Sequence, residues 1–173
     1  MRLNVLMCKL LFNLKNNVSK KNNNSEKYLF MRNNGSLVKS EDVSDYFNDK
    51  YNVKITPKMF RTYNANYHML DFIQNKMDMN EYNNLSTENK KKSYVKKAIS
   101  EYVSNKLHNT PSVCRNKYIN NKLMEKIIIN PRYYSNLGDT NIHNQLKKFI
   151  GWFKNLLSKI VNLNLQLLIV LLV

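Results

Sequence analysis

Thr56-Pro57-Lys58-Met59-Phe60-Arg61-Thr62-Tyr63-Asn64-Ala65-Asn66-Tyr67 is the stretch that decides the fold. A hydroxyl residue followed by proline is a strong helix start. The hydroxyl caps an orphan N–H, and proline at the first helical position gives up no bond. Phe60, Tyr63, Tyr67, Leu70 and Ile73 then share one side at helical spacing, so the helix is predicted to run to about Met77. Thr110-Pro111 repeats the device and starts a short helix. Between the two, Ser86 is the predicted opening of a helix with Val95, Ala98, Ile99, Tyr102, Val103 and Leu107 inward. Lys90, Lys91, Lys92, Lys96 and Lys97 fall mostly on its other faces.

Upstream, Ser40 is placed to cap a helix carrying Val43, Tyr46 and Phe47, with Glu41 and Asp42 in its first turn. Before it, the apolar run Tyr28-Leu29-Phe30-Met31 leads into the turn signal Asn33-Asn34-Gly35. The expected fold is therefore mainly α, with at most a scrap of sheet near the N-terminus. Leu3, Leu6, Met7, Leu10, Leu11 and Leu14 form a helical stripe ahead of the polar run from Asn16 to Lys27. At the other end, apolar residues recur from Leu146 to Val161, and a nearly unbroken apolar stretch runs from Leu163 to Val173. That stretch is shorter than the roughly 20 residues a spanning helix needs, so a helix packed on the domain is expected rather than membrane binding. The division is 1–27 as N-terminal helix and loop, 28–140 as core, and 141–173 as C-terminal helix.

The chain has 173 residues, room for one domain, and Lys and Arg outnumber Asp and Glu by 28 to 12. The formal net charge of +16 favours a polyanionic partner, because cations clustered against phosphates release counterions. Mean hydropathy is −0.55, in keeping with a modest core. Asparagine is unusually common, which reads first as coding bias. The two cysteines, Cys8 and Cys114, lack any zinc-ligand spacing, and no Gly-rich phosphate loop or paired-carboxylate pattern is present. No metal and no small-molecule cofactor are expected. The first residues lack the compact apolar core of a secretory signal, so an intracellular, reducing location follows.

Two segments are specific: the one quoted above, and His108-Asn109-Thr110-Pro111-Ser112-Val113-Cys114-Arg115-Asn116-Lys117-Tyr118-Ile119. Together they resemble the type IB DNA topoisomerases, in particular the compact poxvirus, giant-virus and bacterial branch. There a Lys-x-x-Arg-Thr-(Tyr/Trp) motif supplies a catalytic arginine. Roughly fifty to sixty residues later, an (Asn/His)-Thr-Pro-x-x-(Cys/Ser)-(Arg/Lys) motif precedes the nucleophilic tyrosine. Order and spacing fit from about Tyr28 to Met124. The resemblance implies part of the topoisomerase IB and tyrosine-recombinase catalytic domain, acting as a monomer on duplex DNA wherever the cell or virus keeps it.

The resemblance assigns three catalytic residues. Tyr118 attacks a phosphodiester to form a 3′-phosphotyrosyl bond and release a 5′-hydroxyl. Arg61 offers a guanidinium fork whose charge persists at any working pH. Asn109, nine residues before Tyr118, donates an amide N–H to a non-bridging oxygen. Lys58, Arg115, Lys117 and Lys122 are the motif-adjacent candidates for DNA-phosphate contacts. The Thr-Pro register aligns Asn109, not His108, with the family position, so His108 is read as bland. Cys114 is expected to pack rather than react, and His68 and His143 are read as ordinary.

The family site also needs an earlier arginine and a lysine on a β-hairpin, the acid for the leaving 5′-oxygen. No such pair is apparent in the sixty residues before Arg61. The expectation is a C-terminal part of a catalytic domain, slowed by about 10²–10⁴ for the absent acid alone. The rivals are a tyrosine recombinase, a DNA-binding remnant without chemistry, and a membrane-surface protein. Lys58 stands where a recombinase carries the histidine of its His-x-x-Arg box, which favours the topoisomerase.

Overall fold

A computed structural model describes residues 30–32, 34, 36–137 and 142–151. The expected helix over Leu3–Leu14 and the apolar stretch Leu163–Val173 lie outside the described residues, as does most of Leu146–Val161. The chain divides into two units, 1–56 and 57–173.

In the first unit, the expected scrap of sheet is an isolated antiparallel bridge between Met31 and Leu37. Asn34 closes its turn, its Oδ1 accepting from Ser36 N at 3.1 Å and Ser36 Oγ at 2.8 Å. Helix α1 (Ser40–Tyr51) follows. Its start corrects one expectation: Ser40 is already helical, and the Asp42 carboxylate reaches back to accept from Lys39 N at 2.8 Å. Asp42 is also ion-paired with Arg32. Helix α1 ends at Asn52, a non-glycine residue at φ 50°, a conformation asparagine tolerates.

The regular elements described in the second unit are all helices: α2 (Pro57–Asn75), α3 (Met79–Asn84), α4 (Glu88–Leu107), α5 (Pro111–Lys117), α6 (Asn121–Ile129), α7 (Pro131–Ser135) and α8 (Ile142–Phe149). The two long helices, α2 and α4, pack on each other. Helices α3, α5 and α6 lie against α4, α8 against α2, and α7 against both α2 and α6. Met69, Leu70 and Ile73 of α2, Val95, Ile99 and Val103 of α4, and Leu123, Ile127 and Leu146 are all buried and form the core. The predicted inward stripes hold at Tyr63, Leu70, Ile73, Val95, Ile99, Val103 and Leu107, whereas Phe60, Tyr67, Ala98 and Tyr102 are only half-buried.

Local chemistry sets the helix ends. Thr87, not Ser86, caps α4, its Oγ1 accepting from Lys90 N at 3.2 Å. Thr110 caps α5 as expected. Asn120 caps α6, and Asn130 with Pro131 starts α7 by the same cap-plus-proline device. Part of the asparagine excess thus has structural use, since each cap is worth about 1 kcal/mol. Among the described residues no helix is long and apolar enough to cross a membrane.

Candidate active site

Helix α4 stops at His108, which adopts the left-handed conformation at φ 53°. His108 N and Asn109 N both turn back to Ser104 O, the latter at 3.1 Å. This αL stop brings the chain directly from α4 into the Thr110-Pro111 start of α5. The end of α4 leaves the Leu107 carbonyl to be satisfied from elsewhere. Arg61, in the second turn of α2, donates Nη2–H to it at 2.8 Å. A cation at a helix C-terminus also opposes the negative end of the helix dipole.

Helix α5 ends one residue before Tyr118, whose N–H still reaches Cys114 O at 3.1 Å. The Arg61 guanidinium lies over the Tyr118 ring, 5.4 Å from its centroid, within cation–π range. One side chain of α2 therefore touches both the end of α4 and the residue following α5. Cys114 between them is fully buried, and burial raises its thiol pKa against the opposing pull of Arg61. It packs, as expected, and is not poised as a thiolate.

Arg61 is paired with no carboxylate among the described residues, and the same holds for Lys58, Arg115, Lys117 and Lys122. The hydroxyl of Tyr118 makes no hydrogen bond there. Asn109 is half-buried, and its Nδ2 is a buried donor without a partner among the described residues. An unpaired buried donor costs about 1–3 kcal/mol, so its persistence calls for an explanation. Lys58 is exposed one turn before Arg61, while Lys117 and Lys122 are exposed on either side of the Tyr118 turn. Arg115 is half-buried and lines a hollow of about 330 Å³ with Lys96, Asn121 and Glu125. Arg61, Asn109 and Tyr118 are not part of that hollow. The geometry thus gathers Arg61 and Tyr118 closely and puts Asn109 two residues past the carbonyl that Arg61 holds. Among the described residues no group of three or more His, Cys, Asp or Glu side chains could hold a metal ion.

Residues 4–137 match the family model of the catalytic core of eukaryotic DNA topoisomerase I, well over half of the chain. The chain belongs to the type IB topoisomerase family. No curated protein and no solved structure matches it. Membership makes it a DNA topoisomerase, an isomerase with DNA as its substrate, and its mainly helical fold is a part of that catalytic domain. All seven candidate residues fall inside the matched range.

Sequence reasoning assigned no role to Asn66 or Asn120 of this topoisomerase. Asn66 is fully buried. It donates Nδ2–H to Thr62 O at 2.6 Å and to Tyr118 O at 2.9 Å, and its Oδ1 accepts from Asn120 N at 2.8 Å. A signal was present: Asn66 interrupts the apolar face formed by Met69, Leu70 and Ile73, where an amide needs a long-range partner. His68 is different. Its ring meets Tyr67 and Tyr102 edge-on, and burial, helped by the Lys106 charge and opposed by Asp71, lowers its pKa.

Proposed function

We propose that this topoisomerase relaxes duplex DNA by cutting one strand through a 3′-phosphotyrosyl intermediate on Tyr118. The Tyr118 oxygen gives up its proton and attacks the phosphorus. The bond from phosphorus to the 5′-oxygen breaks, and that oxygen takes a proton as it leaves. After strand rotation the 5′-hydroxyl attacks the phosphotyrosine, reversing both steps and freeing the tyrosine. The phosphodiester energy is held in the intermediate, so no ATP is consumed. The observation that carries this reading is Arg61, which has no carboxylate partner among the described residues and lies over the ring of Tyr118, whose hydroxyl makes no hydrogen bond to them. A phosphorane adds negative charge where such a cation is already in place.

The unpartnered Nδ2 of Asn109 supports its role as a second donor to a non-bridging oxygen. Lys58, Arg115, Lys117 and Lys122 would hold flanking phosphates, acting by charge and without sequence preference. Arginine takes the part that a metal plays in other phosphoryl transfers, so the reaction runs without one. The enzyme acts as a monomer alongside DNA, in nucleus, nucleoid or viral factory. The 57-residue interval from Arg61 to Tyr118 supports the compact branch of the family. The family's lysine acid is not assigned on this chain, so the test uses a leaving group that needs none.

A substrate that needs no acid tests the assignment. A pool of duplexes, each carrying one 5′-bridging sulfur, offers a thiolate leaving group that departs unprotonated. The chain should form a covalent adduct that peptide mapping assigns to Tyr118, and Tyr118→Phe should abolish it. An adduct that survives Tyr118→Phe removes Tyr118 from the mechanism.

A further inference from the structure

We propose that Asn66, with Asn120, forms a clamp that positions Tyr118 against Arg61. This rests on the reading of Tyr118 as the nucleophile. A nucleophilic hydroxyl has to be left free for substrate, and the Tyr118 hydroxyl is hydrogen-bonded to nothing among the described residues. Its direction is therefore set through its backbone. Tyr118 has left the helix, at φ −127° and ψ −37°, so the helical ladder of α5 no longer holds its carbonyl. Asn66 does so instead.

Both hydrogens of the Asn66 amide and its oxygen are committed, and two of the three bonds go to the Tyr118–Asn120 turn. The third goes to Thr62 O, in the turn of α2 that carries Arg61. One rigid, fully buried amide thus references the main chain of Tyr118 to the backbone beside Arg61. Asn120 completes the clamp. Its Oδ1 caps α6 by accepting from Leu123 N at 3.0 Å, and its Nδ2 donates to Phe149 O at 2.9 Å, at the end of α8. The turn is held from α2 on one side and from α8 on the other.

Asn66 is thus a positioning residue that touches no substrate, and its loss should separate binding from chemistry. The full chain is assayed on the 5′-thio duplex pool as wild type, Asn66→Ala, and Ile73→Val as a core control on the same helix. Asn66→Ala should slow adduct formation at saturating DNA by about 10²-fold, the scale of a 1 Å misplacement. Its DNA Kd should stay within about threefold, because the charged residues remain. Ile73→Val should leave the rate within twofold, and melting curves of both variants check that each is folded at the assay temperature. A wild-type rate in folded Asn66→Ala, or an equal loss in Ile73→Val, overturns the clamp.

A second measurement does not depend on catalysis. The Arg61 side-chain NMR resonances feel the Tyr118 ring current and should move toward exposed-arginine values in Asn66→Ala. They should stay in place in Ile73→Val. If they are unmoved in Asn66→Ala, the clamp fails whatever the kinetics show. If they move but the wild-type adduct maps elsewhere than Tyr118, the clamp stands and the nucleophile assignment falls.

Discussion

Two of the cation–tyrosine contacts, Arg61 of α2 over Tyr118 and Lys106 of α4 over Tyr102, differ in what completes them. Lys106 lies 5.4 Å from the Tyr102 ring centroid, as Arg61 does from Tyr118. Tyr102, however, donates its hydroxyl to Asp71 at 2.8 Å, and Asn75 donates to the same carboxylate at 3.0 Å. Burial and the Asp71 hydrogen bond push Tyr102 up to about 12. Burial alone would raise Asp71, but bonds from Asn75 and Tyr102, with His68 and Lys76 nearby, hold it below the ordinary carboxylate value. That cluster contains its own anion. Among the described residues the Arg61–Tyr118 pair contains none, and the Asn109 amide nitrogen on the same connection has no partner there. A cation over a ring is therefore no site by itself. The missing counter-charge makes Arg61 the better match for a phosphate.

The largest test of that contrast is to remove each cation. Arg61→Ala should lose about 3–4 kcal/mol of transition-state stabilisation, near the upper range for one such donor. Lys106→Ala should leave cleavage of the 5′-thio duplexes within about twofold. Comparable losses from both would erase the distinction.

Asn109→Ala should lose less than Arg61→Ala, roughly 1–3 kcal/mol, because a neutral amide binds phosphate more weakly than a charged fork. Its melting temperature should hold or rise, since an unpaired buried donor is removed. Tyr102→Phe should do the reverse, losing about 1 kcal/mol of stability in denaturant titrations while cleavage is unchanged. A fall in stability with Asn109→Ala would mean that its amide is satisfied in the free protein.

The smallest effect concerns His68. Its pKa is lowered in the folded chain, so the unfolded chain binds the extra proton first as pH falls. Its contribution is present above the ordinary histidine value of about 6.5 and is lost progressively below it. Asp71 is lowered too, but its loss begins only near pH 4, outside that window. Melting temperature between pH 7.5 and 5 should decline less in His68→Gln than in wild type. Parallel curves would show that His68 titrates alike in both states.

What the sequence by itself determined is local or ordered along the chain. Thr110-Pro111 and the apolar periods of α2 and α4 specify helices because caps and side-chain spacing act within a turn or two. The order of the Arg61 and Tyr118 motifs pointed to the family without any coordinates. What only the tertiary structure decided joins distant residues. Arg61 reaches the Leu107 carbonyl across 46 positions, and Asn66 holds Tyr118 and Asn120 across 52 and 54. No local pattern encodes such pairs, because a buried amide reveals only that it needs partners, and packing chooses them. The left-handed His108 was likewise illegible: the αL stop that turns α4 into α5 is set by where both helices dock.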